Sequence, residues 1–171
     1  SSRDGNAEIY KMTAAGGSPS RLTNNAAADS APDWSPDGSE IAFQRDIGGS
    51  NTDVYRMNSD GQGQLDLTPT PAANVDSQPA WAPDGNTIAF QSNRDGDYEI
   101  FTVARIAPPA TPAVTPPSPI QRTTNTAADR EPSYSPDGSR LTFTSARDGN
   151  DEIYTATATG GSPQRITTQA G

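Results

Sequence analysis

The chain has 171 residues, with 12 Lys and Arg against 21 Asp and Glu, and its formal net charge is −9. Such a chain repels nucleic acid, because neutralising phosphates requires clustered cations and the basic residues here are scattered. It contains no Cys and no His, which excludes thiolate nucleophiles, zinc sites built on Cys or His, and a Ser-His-Asp triad within it. No apolar stretch of about 18 residues is present, so we expect no membrane insertion.

One pattern occurs three times: Pro-x-aromatic, then Ser or Ala followed by Pro-Asp-Gly, then an apolar residue, a small residue and Phe. The copies span residues 32–43, 79–90 and 132–143, and their aromatic residues are Trp34, Trp81 and Tyr134. Two shorter patterns occur four times each, an acidic-aliphatic-aromatic triplet at 8–10, 53–55, 99–101 and 152–154, and a triplet ending in Thr at 21–23, 66–68, 121–123 and 165–167. A period of about 45 residues is typical of four-stranded blades or helical arrays.

Turn chemistry favours the blades. Ser-Pro-Asp-Gly suits a type I turn between two short alternating runs, which predicts a β-hairpin. Arg-Asp-Gly at 3–5, 94–96 and 147–149 marks the next turn, and Gly-Gly or Asp-Gly at 16–17, 60–61 and 160–161 marks the third. Turns this frequent leave no room for helices.

The resulting unit has four strands: A around the aromatic residue, B with Ile41 and Phe43, C with Tyr55 and Met57, and D. Side chains alternate along a strand, so the aliphatic residues of strand C face away from its aromatic residues; they are Ile9, Val54, Ile100 and Ile153. A sheet with apolar residues on both faces is expected to pack between two neighbours, as propeller blades do.

These motifs together resemble the WD-like repeat of TolB-type β-propellers. The resemblance covers nearly the whole chain and departs from the repeat at residues 46–51, in the second turn, and at the insertion 106–119. It implies a closed ring, usually of six to eight blades, that binds partners in the periplasm or outside the cell.

The sequence thus predicts an all-β propeller segment of about three and a half antiparallel four-stranded blades, as a single domain. Its units are expected at 1–28 (strands C and D only), 29–75, 76–128 and 129–171. We expect the missing A and B strands to lie upstream of Ser1, in a longer chain. Two copies do not close a ring without leaving unpaired strand edges, through which the chain could self-associate.

Three groups of residues are candidates for a binding site. Oxygen side chains at alternate positions resemble the start of a calcium loop; they are Asp4, Asn6 and Glu8, then Asp95, Asp97 and Glu99, then Asp148, Asn150 and Glu152. The preferred interpretation is structural: Asp-Gly shapes the turn between strands B and C, and Glu flanks strand C. No metal, cofactor or catalytic residue is therefore assigned.

The other two groups also have a structural interpretation. Asp29, Asp76 and Asp129 precede the aromatic residues by five positions. They could line a channel as a ring of carboxylates, but are preferred as acceptors for backbone N–H groups of a turn. Trp34, Trp81 and Tyr134 could stack on a ligand, but because they recur in every unit we predict that they lie in the core between blades.

Residues 106–119 form a segment with six prolines, expected as a solvent-exposed, extended loop between strands C and D. It is either an unmodified spacer or a site of O-glycosylation or partner docking.

The function expected from all this is non-catalytic: an envelope-associated or secreted propeller that binds a protein or glycan. Two alternatives remain. The chain could be the substrate-gating propeller of a prolyl-oligopeptidase-like hydrolase, or a structural repeat of a surface layer or fibre.

Overall fold

The computed structural model describes residues 1–3, 5–70, 73–107 and 115–168. These residues form strands and no helix, and so contain no helical segment that could span a membrane. The strands are β1 (Tyr10–Lys11), β2 (Ser20–Arg21), β3 (Ala28–Trp34), β4 (Glu40–Gly48), β5 (Asn51–Asn58), β6 (Leu65–Asp66), β7 (Asp76–Trp81), β8 (Thr87–Ser92), β9 (Glu99–Ala104), β10 (Ile120–Gln121), β11 (Asp129–Tyr134), β12 (Arg140–Ser145), β13 (Glu152–Thr157) and β14 (Gln164–Arg165).

Each sheet is an antiparallel meander in chain order. We call β3–β6 blade 1, β7–β10 blade 2 and β11–β14 blade 3, and the two-stranded sheet of β1 and β2 the half blade. Strands A to D of the sequence analysis are the four strands of each blade in this order. The prediction of an all-β fold with about three and a half four-stranded blades is confirmed, while the residue boundaries proposed between units stay a prediction.

The predicted turns between strands A and B close as expected. The Gly38 N–H donates to the Ser35 carbonyl over 2.9 Å, and the Gly138 N–H donates to the Ser135 carbonyl over 2.8 Å. This bond from residue four to residue one defines a closed β-turn, and both glycines have a positive φ, 68° and 71°. The Pro-Asp-Gly motif therefore sets the hairpin register of each blade.

The hydrophobic core lies in the seams between neighbouring sheets. In the seam between blades 1 and 2, Ala42 and Val54 of blade 1 pack with Trp81, Phe90 and Phe101 of blade 2. The seam before it joins Ile9 to Ile41, Phe43 and Met57, and the seam after it joins Ala89 and Ile100 to Leu141, Phe143, Tyr154 and Ala156. Strand C therefore presents its aliphatic face to the next blade, as predicted.

The prediction that all three repeated aromatic residues lie in the core is wrong for Trp34. Trp81 is 6 % exposed, and the half-buried Tyr134 packs on the cluster around Ala89, but Trp34 is 48 % exposed. Trp81 and Tyr134 are covered by strand B of the preceding blade. Trp34 has no such cover among the described residues, because the half blade consists of β1 and β2 alone.

The opposite end of the array shows the same effect. Ile153 is 39 % exposed, whereas Val54 and Ile100 at the same position are fully buried against a following blade. The two outer faces of the described array thus expose apolar positions that are covered inside it.

Candidate functional site

The inner edge of each blade is strand A, and the A strands of adjacent blades lie in contact: β3 with β7, and β7 with β11. In a propeller the blades surround a central channel, so the A strands form its wall. Side chains and backbone groups on this edge can therefore reach a ligand that enters the channel.

Each A strand contains one non-glycine residue in the left-handed region. Ala31, Gln78 and Glu131 have φ values of 48°, 54° and 54°, and each lies where the pairing of strands A and B changes register. Such a conformation costs of order 1–3 kcal/mol and persists only where the surroundings impose it. Its recurrence at one place shows that all three inner edges are bent alike.

A glutamine of the preceding blade holds this strained residue. The Gln78 N–H donates to the side-chain carbonyl of Gln44 over 3.1 Å, and the Glu131 N–H donates to that of Gln91 over 3.0 Å. In addition, the Trp81 N–H donates to the Asp33 carboxylate over 2.7 Å. Each blade thereby fixes the backbone of the next along the inner edge.

A groove of about 530 Å³ runs across the inner edges of the three blades. It brings together the three repeated aromatic residues, with half-exposed Trp34 at one end, then Trp81, then Tyr134. The indole N–H of Trp81 is buried and has no hydrogen-bond partner among the described residues. Five prolines complete the apolar part of the lining: Pro32, Pro36, Pro79, Pro83 and Pro136.

Acidic side chains stand beside this groove, one on the turn between strands A and B of each blade. Asp37, Asp84 and Asp137 are exposed and directly follow three of the lining prolines. The Ser39 N–H and the Ser35 and Ser39 hydroxyls lower the pKa of Asp37 to about 2. The Ser135 hydroxyl and the Ser139 N–H and hydroxyl likewise lower the pKa of Asp137 to about 2. The groove therefore combines aromatic and proline rings with acidic side chains beside it.

The carboxylates at 29, 76 and 129 do not form an exposed ring. Asp29, Asp76 and Asp129 are buried. Their partners are arginines rather than the backbone N–H groups that we predicted: Arg45, Arg94 and Arg147 lie 2.7, 2.6 and 2.8 Å away. Each guanidinium also lies over the aromatic pair of strands B and C in its own blade. These residues are structural, as the preferred interpretation held, although the type of partner was wrong.

The glutamates among the candidate calcium residues, Glu8, Glu99 and Glu152, use their carboxylate oxygens as acceptors within the protein. The Glu8 carboxylate accepts from Arg21 over 2.7 Å, from the Asn25 N–H over 3.1 Å and from the Thr23 hydroxyl. Asn6 donates its amide to the Asn25 carbonyl over 3.0 Å. Asp4 lies outside the described residues, and within them no group of three acidic side chains is placed to hold a metal ion.

The proline-rich segment lies between β9 and β10, as predicted, and residues 108–114 of it fall outside the described part of the chain. Thr115, Pro117 and Ser118 are exposed, while Pro116 and Pro119 are half-buried. Residues 115–119 line a cavity of about 320 Å³ with Leu67–Thr70 of blade 1 and Arg94. Residues 115–119 therefore lie at the outer side of the junction between blades 1 and 2, away from the groove.

Sequence reasoning missed Gln44 and Gln91. Each follows the Phe that ends the Pro-Asp-Gly pattern, so Ala-Phe-Gln occurs twice, with Thr144 at the third position. That repetition was a usable signal. What it could not reveal is the partner, which is a backbone N–H on the neighbouring blade about 34 to 40 residues further along the chain.

Comparisons with known proteins agree with this architecture. A curated relative, a TolB homolog of Chlorobium luteolum, is 31% identical over 162 residues, which is 90% of this chain and 32% of the relative. The TolB structure from Agrobacterium tumefaciens has a TM-score of 0.77 at 26% identity and covers 95% of this chain and 57% of its own. That from Acinetobacter baumannii has a TM-score of 0.69 at 24% identity and covers 89% and 35%.

The chain therefore spans about a third of the curated relative it matches. The family model for the TolB beta propeller domain matches residues 77–171, more than half of the chain. With the repeated turns, the seams and the meandering blades described above, this match shows that the chain belongs to the TolB beta propeller domain family.

Proposed function

We propose that this chain is a non-catalytic binding module of the cell envelope that takes an extended segment of a partner protein into the groove along its inner edge. The observation that carries the proposal is the groove itself, which brings Trp34, Trp81 and Tyr134 together along the inner edge. The family supports an envelope propeller that binds protein, and the groove supplies a place for binding.

The lining suits an extended peptide. Aromatic rings and proline rings are rigid and largely apolar, so they bury ligand surface with little loss of conformational entropy. The volume, about 530 Å³, falls within the range of sites that enclose a ligand. Because the groove is built on bent strand edges fixed by Gln44 and Gln91, it is formed before a ligand arrives.

The charge of the groove indicates the chemistry of the partner. Asp37, Asp84 and Asp137 place one carboxylate beside the groove on each blade, and the chain as a whole carries a net charge of −9. A segment with apolar residues flanked by Lys or Arg complements both the rings of the groove and these carboxylates. Complementary charge of this kind raises association rates and makes them fall with added salt.

The residues of this chain favour binding over catalysis. The groove lining contains no nucleophile paired with a base, and the chain has no Cys or His to supply one. Binding without chemistry is thus the simplest role for this arrangement.

The experiment is a peptide-display selection on the immobilised chain, followed by affinity measurements on the selected peptides. Trp34→Ala is expected to weaken binding by tenfold or more, because an exposed aromatic anchor is removed. Ile166→Ala is the matched control, since Ile166 is 60% exposed but lies outside the groove. Peptides that bind both variants as they bind the parent chain would contradict the proposal.

A further inference from the structure

Every repeat places a buried acid at the same position of strand C. These acids are Glu8, Asp53, Glu99 and Glu152, each exposed by 2 % or less. The residue beside each acid on strand D differs from repeat to repeat: Arg21, Asp66, Gln121 and Arg165. The strand D residue beside the buried acid is therefore cationic in two repeats, acidic in one and neutral in one.

At the junction between the half blade and blade 1 the charges balance. Arg21 lies 2.7 Å from Glu8, and Arg45 lies 2.7 Å from the adjacent Asp29. Two buried carboxylates thus face two guanidinium groups. A buried charge that is paired and hydrogen-bonded in this way can stay ionised.

At the junction between blades 1 and 2 the charges do not balance. Asp53 on β5, Asp66 on β6 and Asp76 on β7 come together, and the cation there is Arg94, 2.6 Å from Asp76. Tyr55 pairs with Asp66 in the ladder of β5 and β6. The other guanidinium close by, Arg45, lies 4.6 Å from the Tyr55 ring but takes Asp29 as its partner.

Two features show that this junction lacks a partner for a full set of carboxylates. The fully buried Asp53 has Asp66 on strand D where Glu8 has Arg21, and among the described residues it forms no ion pair. One oxygen of Asp53, Oδ1, is buried and accepts no hydrogen bond among the described residues. An uncharged carboxyl tolerates such surroundings, whereas a carboxylate does not.

The pKa values follow the residue on strand D. Burial, then the Asp66 and Asp76 charges, raise the pKa of Asp53 to about 7, and burial also raises that of Asp66. For Glu8, burial acts in the same direction, but hydrogen bonds from Thr23 and Arg21 lower its pKa below the ordinary value. Asp53 is as buried as Glu8 but has Asp66 in place of Arg21, so the residue on strand D contributes to the difference.

The junction between blades 2 and 3 has a neutral residue at the strand D position. Glu99 faces Asp129, whose partner Arg147 lies 2.8 Å away, while the neutral Gln121 occupies the strand D position and donates to Asp95. Burial raises the pKa of Glu99 to about 7, helped by Asp129 and opposed by Thr123 and the Asn125 N–H.

We propose that the contact between blades 1 and 2 is proton-dependent: Asp53 and Asp66 share one proton when the junction is closed, and loss of that proton loosens β5 and β6 from β7. A segment of an envelope protein with this device would respond to the pH of its surroundings by opening one seam, while the seam at Glu8 stays closed.

The direction of the effect follows from the raised pKa. The closed junction binds a proton that the open one releases, so stability from this pair is fully present below the ordinary Asp pKa of about 4 and lost as pH rises through about 7. The opening equilibrium should rise by up to about tenfold per pH unit in that window and level off above it.

The test is a carboxyl ¹³C NMR titration of the chain, with hydrogen exchange of the Thr52 amide measured between pH 5 and 8. This amide donates to the Asn74 carbonyl across the junction over 3.0 Å. One carboxyl of the Asp53–Asp66 pair is expected to titrate near pH 7, and the protection factor of Thr52 should fall as it ionises. Titration of both carboxyls near their ordinary value of about 4 would overturn the proposal.

Two variants separate the pair from general effects of pH. Asp66→Asn leaves a neutral partner that can donate to Asp53, and should remove the pH dependence at Thr52. Arg21→Gln removes the cation beside Glu8 and should create a similar dependence at the Asp29 amide, which donates to the Ala7 carbonyl over 2.8 Å. A dependence at Thr52 unchanged by Asp66→Asn would contradict the assignment, and the titration of the parent chain decides the matter if either variant fails to fold.

Discussion

A Cβ atom placed on Gly160 would lie 2.0 Å from the carbonyl oxygen of Arg122. The same relationship exists two repeats earlier, where a Cβ on Gly61 of blade 1 would lie 2.5 Å from the Leu22 carbonyl oxygen. The turn between strands C and D of one blade therefore rests directly on strand D of the blade before it. Glycine is required in the turn between strands C and D by this close approach as well as by its positive φ.

Gly160→Ala is expected to destabilise the chain by about 1–3 kcal/mol more than Gly149→Ala. Both glycines have a positive φ, 92° and 102°, but a Cβ on Gly149 meets nothing within 4 Å. Gly149→Ala therefore introduces the backbone strain without a steric clash. The difference between the two losses in free energy of unfolding measures the contact between blades. Urea unfolding of both variants measures it, and equal losses would show that the blades do not touch there.

Arg147→Met is expected to lower the free energy of unfolding by about 3–5 kcal/mol, because it leaves the fully buried Asp129 without its cation. Arg130→Met is the control: exposed Arg130 lies 5.0 Å from the Tyr98 ring, and its loss should cost about 1 kcal/mol or less. Similar values for both variants would contradict the structural role given to Asp129.

The architecture was predictable from the sequence because repetition supplies its own evidence. Three copies of the Pro-Asp-Gly turn fix where hairpins occur. Alternation along strand C places Val54 and Ile100 on the face of the strand opposite to its aromatic residues. The error at Trp34 arose because a repeat pattern describes the average position, whereas burial depends on the neighbour that a particular copy has. The half blade supplies Trp34 with no strand B.

The groove was harder to predict. The sequence marks Trp34, Trp81 and Tyr134 as equivalent, but equivalent residues in a repeat need not meet. They share one groove because the A strands converge. The bend at Ala31, Gln78 and Glu131 directly precedes the repeated proline, but its left-handed conformation was not expected, since none of these residues is glycine.

The difference between the two tryptophans can be observed in solution. In single-tryptophan variants made by Trp81→Phe or Trp34→Phe, the fluorescence of Trp34 should be readily quenched by acrylamide, and that of Trp81 should be shielded. Trp81→Ala should cost about 3–5 kcal/mol of stability, since it empties a packed seam, whereas Trp34→Ala should cost much less. Equal quenching of both residues would contradict the exposure found at the end of the groove.

Gln91→Ala should disturb the inner edge of the next blade without unfolding it. The Glu131 N–H loses its acceptor, at a cost of about 1 kcal/mol, and the amide resonances of Glu131 and Ser133 should shift. Gln62→Ala changes an exposed glutamine in the turn between β5 and β6, outside the groove, and should leave these resonances largely unchanged. A peptide that binds in the groove should lose affinity for the first variant and keep it for the second.

The most direct test of the proposed function is to map a selected peptide onto the labelled chain by amide chemical-shift changes. The account predicts that the largest changes fall on the inner edge, at Trp34, Gln78, Ala80 and Ser133. Changes concentrated on the outer strands β6, β10 and β14, with the inner edge unaffected, would contradict it.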